Sequence, residues 1–184
     1  EPLAIALHGI NKMHIGPRDK VLIIGAGSIG MAAAGCLLGR NIQYDMCARH
    51  PHQQTLAEAL NAGLQPKGTY DVIIDAAGTQ SSLNDALKWA APNARVCLLG
   101  TYWEPPTVDV GFCLKEISLT AATGYRCSGE DRTFIEAGNI LYQHPAIASS
   151  MISHSFPLEG AKEAFATATD RASGAIKVAF DMAI

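Results

Sequence analysis

The sequence predicts an α/β fold, a three-layer doubly wound parallel sheet followed by a C-terminal α/β tail. Three observations carry this. Apolar runs such as Val21-Leu22-Ile23-Ile24 and Val72-Ile73-Ile74 show no polar alternation, the pattern of strands covered by helices on both faces. These runs alternate with helical patterns over short, punctuated connections, the βαβα order of a parallel sheet. The first run feeds straight into Gly25-Ala26-Gly27-Ser28-Ile29-Gly30, a G-x-G-x-x-G with a strand before it and an alanine-rich helical pattern after it.

Length and composition bound the rest. A chain of 184 residues suffices for one ordinary domain with a substantial core. A hydrophobic share of 48% against 17% charged suits a buried sheet under small, well-covered helices. The net charge of −3 gives no footprint for nucleic acid or an anionic membrane. No apolar run reaches the roughly 18 residues of a membrane span, and no signal-sequence pattern opens the chain, so a soluble, cytoplasmic protein is expected. Cys36, Cys47, Cys97, Cys113 and Cys127 are odd in number and form no C-x-x-C, which shows neither a zinc ribbon nor a disulfide framework. Cys36, Cys47 and Cys97 sit in apolar runs and read as buried thiols in a reducing compartment.

In chain order, residues 3–14 read as a helix with Leu3, Ala6, Leu7, Ile10 and Met13 on one face. Pro2 suits its first turn and Gly16-Pro17 stops it. Strand one is expected at 20–25. The helix after the glycines turns Ile29, Ala33 and Leu37 to one side and ends at 39–41. Strand two falls at about 43–48, and a helix at about 52–62 buries Leu56 and Leu60 before Gly63. Only a few residues separate Gly63 from the next strand, 70–75, so the usual third strand must be very short and its crossover helix missing. Thr79 or Ser81 can cap the following helix, with Leu83, Ala86, Leu87 and Ala90 inward. Pro92-Asn93 turns the chain into a strand at 95–100, and 117–122 supplies another. The tail reads as a helix at 130–143, an extended piece at 151–155, a helix at 157–169 and a last strand at 175–182. The helix at 157–169 carries Leu158, Ala161, Phe165 and Ala168 on one face. A six-strand parallel sheet with strand one central is expected.

The glycine turn points to a dinucleotide. Gly25 permits the tight turn, Gly27 lets a pyrophosphate approach the backbone, and Gly30 lets the helix pack closely on the sheet. The amides of Ser28 and Ile29 open that helix, whose N-terminus favours phosphate. In sites for NAD an acid at the end of strand two holds the ribose 2′-hydroxyl. Here Arg49 and His50 stand in its place, and Asp45 comes too early. A guanidinium at that position fits the 2′-phosphate of NADP; as a solvated surface residue Arg49 would leave NAD equally acceptable. His50-Pro51-His52 lacks the nearby acid or thiol that a metal site needs. Ala76, Ala77 and Gly78, and likewise Leu99, Gly100 and Thr101, follow later strands and should line the rest of the crevice, where small residues admit the ribose and nicotinamide.

Glu1-Pro2-Leu3-Ala4, the glycine fingerprint, Asp75-Ala76-Ala77-Gly78, Leu98-Leu99-Gly100-Thr101, Lys115-Glu116 and Gly174-Ala175-Ile176-Lys177-Val178 together resemble the zinc-dependent medium-chain dehydrogenases. The resemblance is to the polyol, sorbitol or threonine dehydrogenase-like branch. It implies the Rossmann coenzyme-binding part of an enzyme whose preceding GroES-like catalytic domain is not in this sequence. It also implies that Glu1 lies at a catalytic zinc in the complete enzyme only, and that Lys177 contacts the cofactor phosphates. The organisation implied is a linking helix at 1–16, a cofactor domain at 17–145 and a return segment at 146–184 that packs on the catalytic domain, leaving an apolar surface open in its absence.

The function expected is hydride transfer between a small secondary alcohol or polyol, or the matching ketone, and NAD(P), with NADP favoured. This chain alone would bind cofactor without turnover. A homodimer or tetramer is expected, joined through the edge at 117–122. The competing readings are a zinc-free quinone or enone reductase of the same superfamily, against which Glu1-Pro2-Leu3 argues, a non-catalytic NADP-binding module, and a methyltransferase, which would want an acid at the end of strand two.

Overall fold

The computed structural model describes residues 1–125 and 132–182. Cys127 and the first residues of the helix expected at 130–143 lie outside the described residues.

Helix α1 (Pro2–Met13) enters first, and all five of its expected inward residues are buried. β1 (Val21–Ile24), β2 (Tyr44–Cys47), β3 (Tyr70–Asp75), β4 (Ala90–Leu98) and β5 (Ser118–Ala121) form one sheet in the order β2-β1-β3-β4-β5, parallel throughout. Side chains alternate across it. Val21, Ile23, Val72 and Ile74 join one core with α1 and α2 (Ser28–Gly39), while Leu22, Ile24, Ile73 and Val96 join another with α4 (Gln80–Trp89). That two-sided covering is why the strands read as unbroken apolar runs. α2 is buried along most of its circumference, because α1, α6 (Thr133–Gln143) and α7 (Ala146–Met151) close over it.

Three expectations change. The sheet has five strands among the described residues rather than six, since the short strand after α3 (Pro51–Ala59) shrinks to a single parallel bridge between Asp45 and Gly63. Gly63 fits there because a Cβ would collide with the Asp45 carboxylate. Next, β1 is interior, but the central strand is β3. Finally, β4 starts at Ala90, directly after α4, and takes Asn93 through a left-handed conformation (φ 62°) instead of turning before the strand; Ala90 is buried as expected, but at a strand start. Two short helices, α5 (Val110–Leu114) and α7, had no sequence signal.

Thr79 caps α4, its hydroxyl accepting from the Ser82 N–H at 3.1 Å. In the tail, β6 (Ile152–Pro157) and β7 (Lys177–Asp181) pair parallel as a separate two-stranded sheet, joined by α8 (Ala161–Thr169). The apolar face of this segment is open, with Leu158 54% and Phe165 67% exposed. No described helix is long and apolar enough to cross a membrane.

Candidate functional site

The strand registers set Cys47, Ile24, Asp75, Leu98 and Ala121 in one row across the sheet. Everything that follows those residues therefore leaves from the same carboxyl edge. β2 and β3 flank β1, so the chain reverses its direction of travel across the sheet at β1, the switch point where ligands bind in doubly wound folds.

The glycine fingerprint meets this geometry residue by residue. Gly25 has φ +98°, open to glycine and strained for other residues, and a Cβ there would come within 3.0 Å of the Ala77 Cβ. At Gly30 a Cβ would overlap the Gly25 carbonyl oxygen, so α2 can approach the turn only with glycine here. Gly27 differs: a Cβ at this position has nothing within 4 Å. The protein itself does not require glycine there, and Gly27 is the exposed N-cap of α2. Ser28 and Ile29 form the first turn of α2, where backbone N–H groups lack helical acceptors.

Ala76, Ala77 and Gly78 continue from β3, and Leu99, Gly100 and Thr101 from β4. The two turns abut. A Cβ on Gly78 would lie 2.6 Å from the Thr101 carbonyl oxygen, and one on Gly100 would strike the Gly78 nitrogen. Sequence reasoning grouped these six residues but missed what binds them. Asp75, fully buried, accepts from the Ala77 and Gly78 N–H groups at 3.0 and 3.2 Å and from the Ser82 hydroxyl at 2.9 Å. The Tyr102 hydroxyl donates to the same carboxylate. Burial, reinforced by that acceptor, raises the Tyr102 phenol well above its ordinary pKa. The Asp75 carbonyl accepts from Leu99 and Gly100 N–H at 2.9 and 2.8 Å. Asp75-Ala76-Ala77-Gly78 held a place in the family motif, but nothing in the spacing marked Ser82 or Tyr102.

At the end of β2, Arg49 is exposed and makes no hydrogen bond or ion pair among the described residues. His50 caps α3 from the same turn and stacks on His52, rings 5.6 Å apart and 9° from parallel. Asp45 is turned to other use, its carboxylate accepting from the Tyr70 hydroxyl at 2.6 Å. It lines a separate cleft of about 350 Å³ with Lys20, Lys67 and Tyr70, at the amino ends of the strands and away from the fingerprint.

Lys177 lies exposed on β7 in the small sheet, its backbone N–H donating to the Ser153 hydroxyl at 3.3 Å. Glu1 is the exposed N-cap of α1. No group of three or more His, Cys, Asp or Glu able to hold a metal occurs among the described residues, so the donor set here does not fit a catalytic zinc, which needs three protein ligands. Cys36 and Cys97 are buried, and burial pushes both thiols up to about 12; Cys47 is half-buried and also raised, and Cys113 is exposed.

No family model matches the sequence. The chain is 26% identical over 182 residues to L-galactonate-5-dehydrogenase of Escherichia coli K12, a match covering 90% of this chain and 52% of that protein. It is 28% identical over 206 residues to L-arabinitol 4-dehydrogenase of Hypocrea jecorina, covering 97% and 52%. Among solved structures, a short chain alcohol dehydrogenase of Escherichia coli CFT073 in complex with NADH aligns with a TM-score of 0.80 at 24% identity, over 97% of this chain and 56% of that one. Sheet order, crevice and neighbours together define a Rossmann-type α/β chain. Its homologues are polyol and alcohol dehydrogenases, and it spans about half the length of the curated relatives it matches.

Proposed function

We propose that this chain is the coenzyme-binding portion of a polyol or alcohol dehydrogenase, holding NAD(P) while hydride passes between the nicotinamide and a secondary alcohol or its ketone. The observation that carries this is Gly27: every steric demand for glycine around it is internal to the fold, whereas Gly27 keeps a space clear that the protein does not fill. A pyrophosphate set against the opening amides of α2 accounts for that space. Ala77, Gly78 and Gly100 present backbone and small side chains along the same edge, where a ribose and nicotinamide can lie close.

The nicotinamide, when bound, supplies the hydride acceptor or donor. Bare of acid and carrying a free guanidinium, the end of β2 favours NADP, with Arg49 opposite the 2′-phosphate and His50 beside it. Lys177 would reach the cofactor phosphates. Glu1 alone among the described residues would stand at a zinc of the complete enzyme, too few ligands to hold the metal in this chain. Residues 1–16 then link, 17–145 bind cofactor and 146–184 return toward the rest of the enzyme. In solution the cytoplasmic enzyme would associate as a homodimer or tetramer through β5.

Titration with NADPH and NADH tests the reading. NADPH should bind more tightly, and Arg49→Ala should weaken it roughly ten- to a hundred-fold, the loss of a charged hydrogen-bond partner, with NADH nearly unchanged. Equal losses would assign Arg49 to the pyrophosphate or the fold; tighter NADH binding by the unmutated chain would reverse the cofactor preference.

A further inference from the structure

We infer that Asp75 is a positioning residue for the nicotinamide half of the dinucleotide, its buried carboxylate locking the turn after β3 to the turn after β4. The inference rests on the dinucleotide reading above and extends it to a residue that need not touch the ligand.

The argument begins with cost. A carboxylate with no exposed surface loses its hydration, and no described Lys, Arg or His forms an ion pair with Asp75. Among the described residues its charge is met by hydrogen bonds, four of them, and the donors come from three separate segments. The Ala77 and Gly78 amides belong to the β3 turn, the Ser82 hydroxyl to α4, and the Tyr102 hydroxyl to the strand-to-helix segment after β4. Moving the two turns apart would strip donors from a buried negative charge. That makes the separation of the turns stiff in a way apolar packing would not.

An apolar side chain of similar size could hold these layers together at less cost, since buried charges are seldom the cheapest source of stability. What the carboxylate adds is placement. It sits at the last position of β3, in the row from which the crevice opens. Its carbonyl meanwhile fixes Leu99 and Gly100 from the other side. The result is a continuous floor: Ala77 lies against Gly25, Gly78 lies against Gly100 and Thr101, and Asp75 holds the series from beneath. The adenosine side, at Arg49 and His50, shares none of these bonds.

This asymmetry supplies the test. The 184-residue chain and its Asp75→Asn variant are titrated with NADPH and with 2′,5′-ADP, which carries the adenosine and 2′-phosphate without the nicotinamide. Asn can keep its oxygen toward the two amides and donate to the two hydroxyls, so the fold is retained while the charge is lost. NADPH should bind about tenfold more weakly, the scale of a lost charge-assisted hydrogen bond transmitted through the turns, and 2′,5′-ADP within about twofold of the unmutated chain. Amide exchange at Gly78 and Gly100 should quicken in the same variant. Should Asp75→Asn fail to fold, Tyr102→Phe removes one donor and keeps the carboxylate and the ring, and should show the same split at about fivefold. Unchanged NADPH binding, or equal weakening of NADPH and 2′,5′-ADP, overturns the assignment of Asp75. An unmutated chain that binds 2′,5′-ADP but gains nothing from the nicotinamide half also overturns it, and one that binds neither ligand overturns the dinucleotide reading itself.

Discussion

Gly27 and Gly30 lie one helical turn apart and answer opposite demands. At Gly30 the demand is the protein's own, because a methyl would overlap the Gly25 carbonyl oxygen and lever α2 off the turn. Gly30→Ala should therefore cost about 3 kcal/mol or more, the upper range for overpacking against backbone. Gly27 has an ordinary φ of −81° and open space around the missing Cβ. Gly27→Ala should leave the thermal midpoint within about 4 °C, the effect of a weaker N-cap in a domain of this size, yet reduce dinucleotide affinity more than about tenfold. Calorimetry and cofactor titration on the two variants separate these outcomes. A Gly27→Ala chain that binds NADPH as before would remove the central support for the cofactor reading. These glycines were legible in the sequence because one short stretch contains the whole motif. The Asp75 network was not, since Ser82 and Tyr102 lie 7 and 27 residues away, and the turn into α4 brings the first to the carboxylate while the parallel pairing of β3 with β4 brings the second.

The elements that read most clearly were those long enough to show a period. α1, α2, β1, β2 and β3 fall within a residue or two of expectation, β4 starts five residues early, and α5 and α7, at 5 and 6 residues, are too short for any periodicity to emerge. How α1 is tied to the sheet was also hidden. Arg95 of β4 donates to the Met13 and His14 carbonyls at the end of α1 and to Asp19 at 2.5 Å, capping the helix from a strand more than 80 residues later. Burial acts to raise the Asp19 pKa, but the Gly16 N–H at 2.7 Å and the Arg95 guanidinium together outweigh it and hold the carboxyl below its ordinary value of 3.8. A folded-state pKa below the unfolded one means stability present above pH 3.8 and lost as pH falls through the folded value. Asp19→Asn should then cost about 1–2 kcal/mol at neutral pH, and the gap should close progressively below pH 3.8. Urea unfolding of both proteins at pH 7, 5 and 3 reads this directly. A gap that persists undiminished at pH 3 would place the effect in packing and not in charge.

At the scale of the whole molecule, what is left uncovered matters as much as the core. β5 pairs with β4 on one side and with no described strand on the other, and Ser118-Leu119-Thr120-Ala121 contains neither the lysine nor the proline that usually blunts a free edge. Identical edges meeting across a two-fold axis must run antiparallel, and doing so would join two five-stranded sheets into one. The chain should therefore dimerise in a concentration-dependent way through β5. A competing surface exists in the tail, where Leu158, Phe165 and Phe180 are exposed. The sequence showed both apolar segments but not which of them a free chain would use, because that choice depends on backbone groups that periodicity does not report. Ser118→Lys with Ala121→Lys decides it. Both positions are exposed, so the substitutions should leave the fold and the thermal midpoint essentially unaltered while setting like charges against each other across the two-fold axis. Sedimentation should then find a monomer where the unmutated chain forms a dimer. A dimer that survives the two lysines but dissociates on Phe165→Glu would move the interface to the tail, and a chain monomeric at every concentration would leave the β5 edge without a role in assembly.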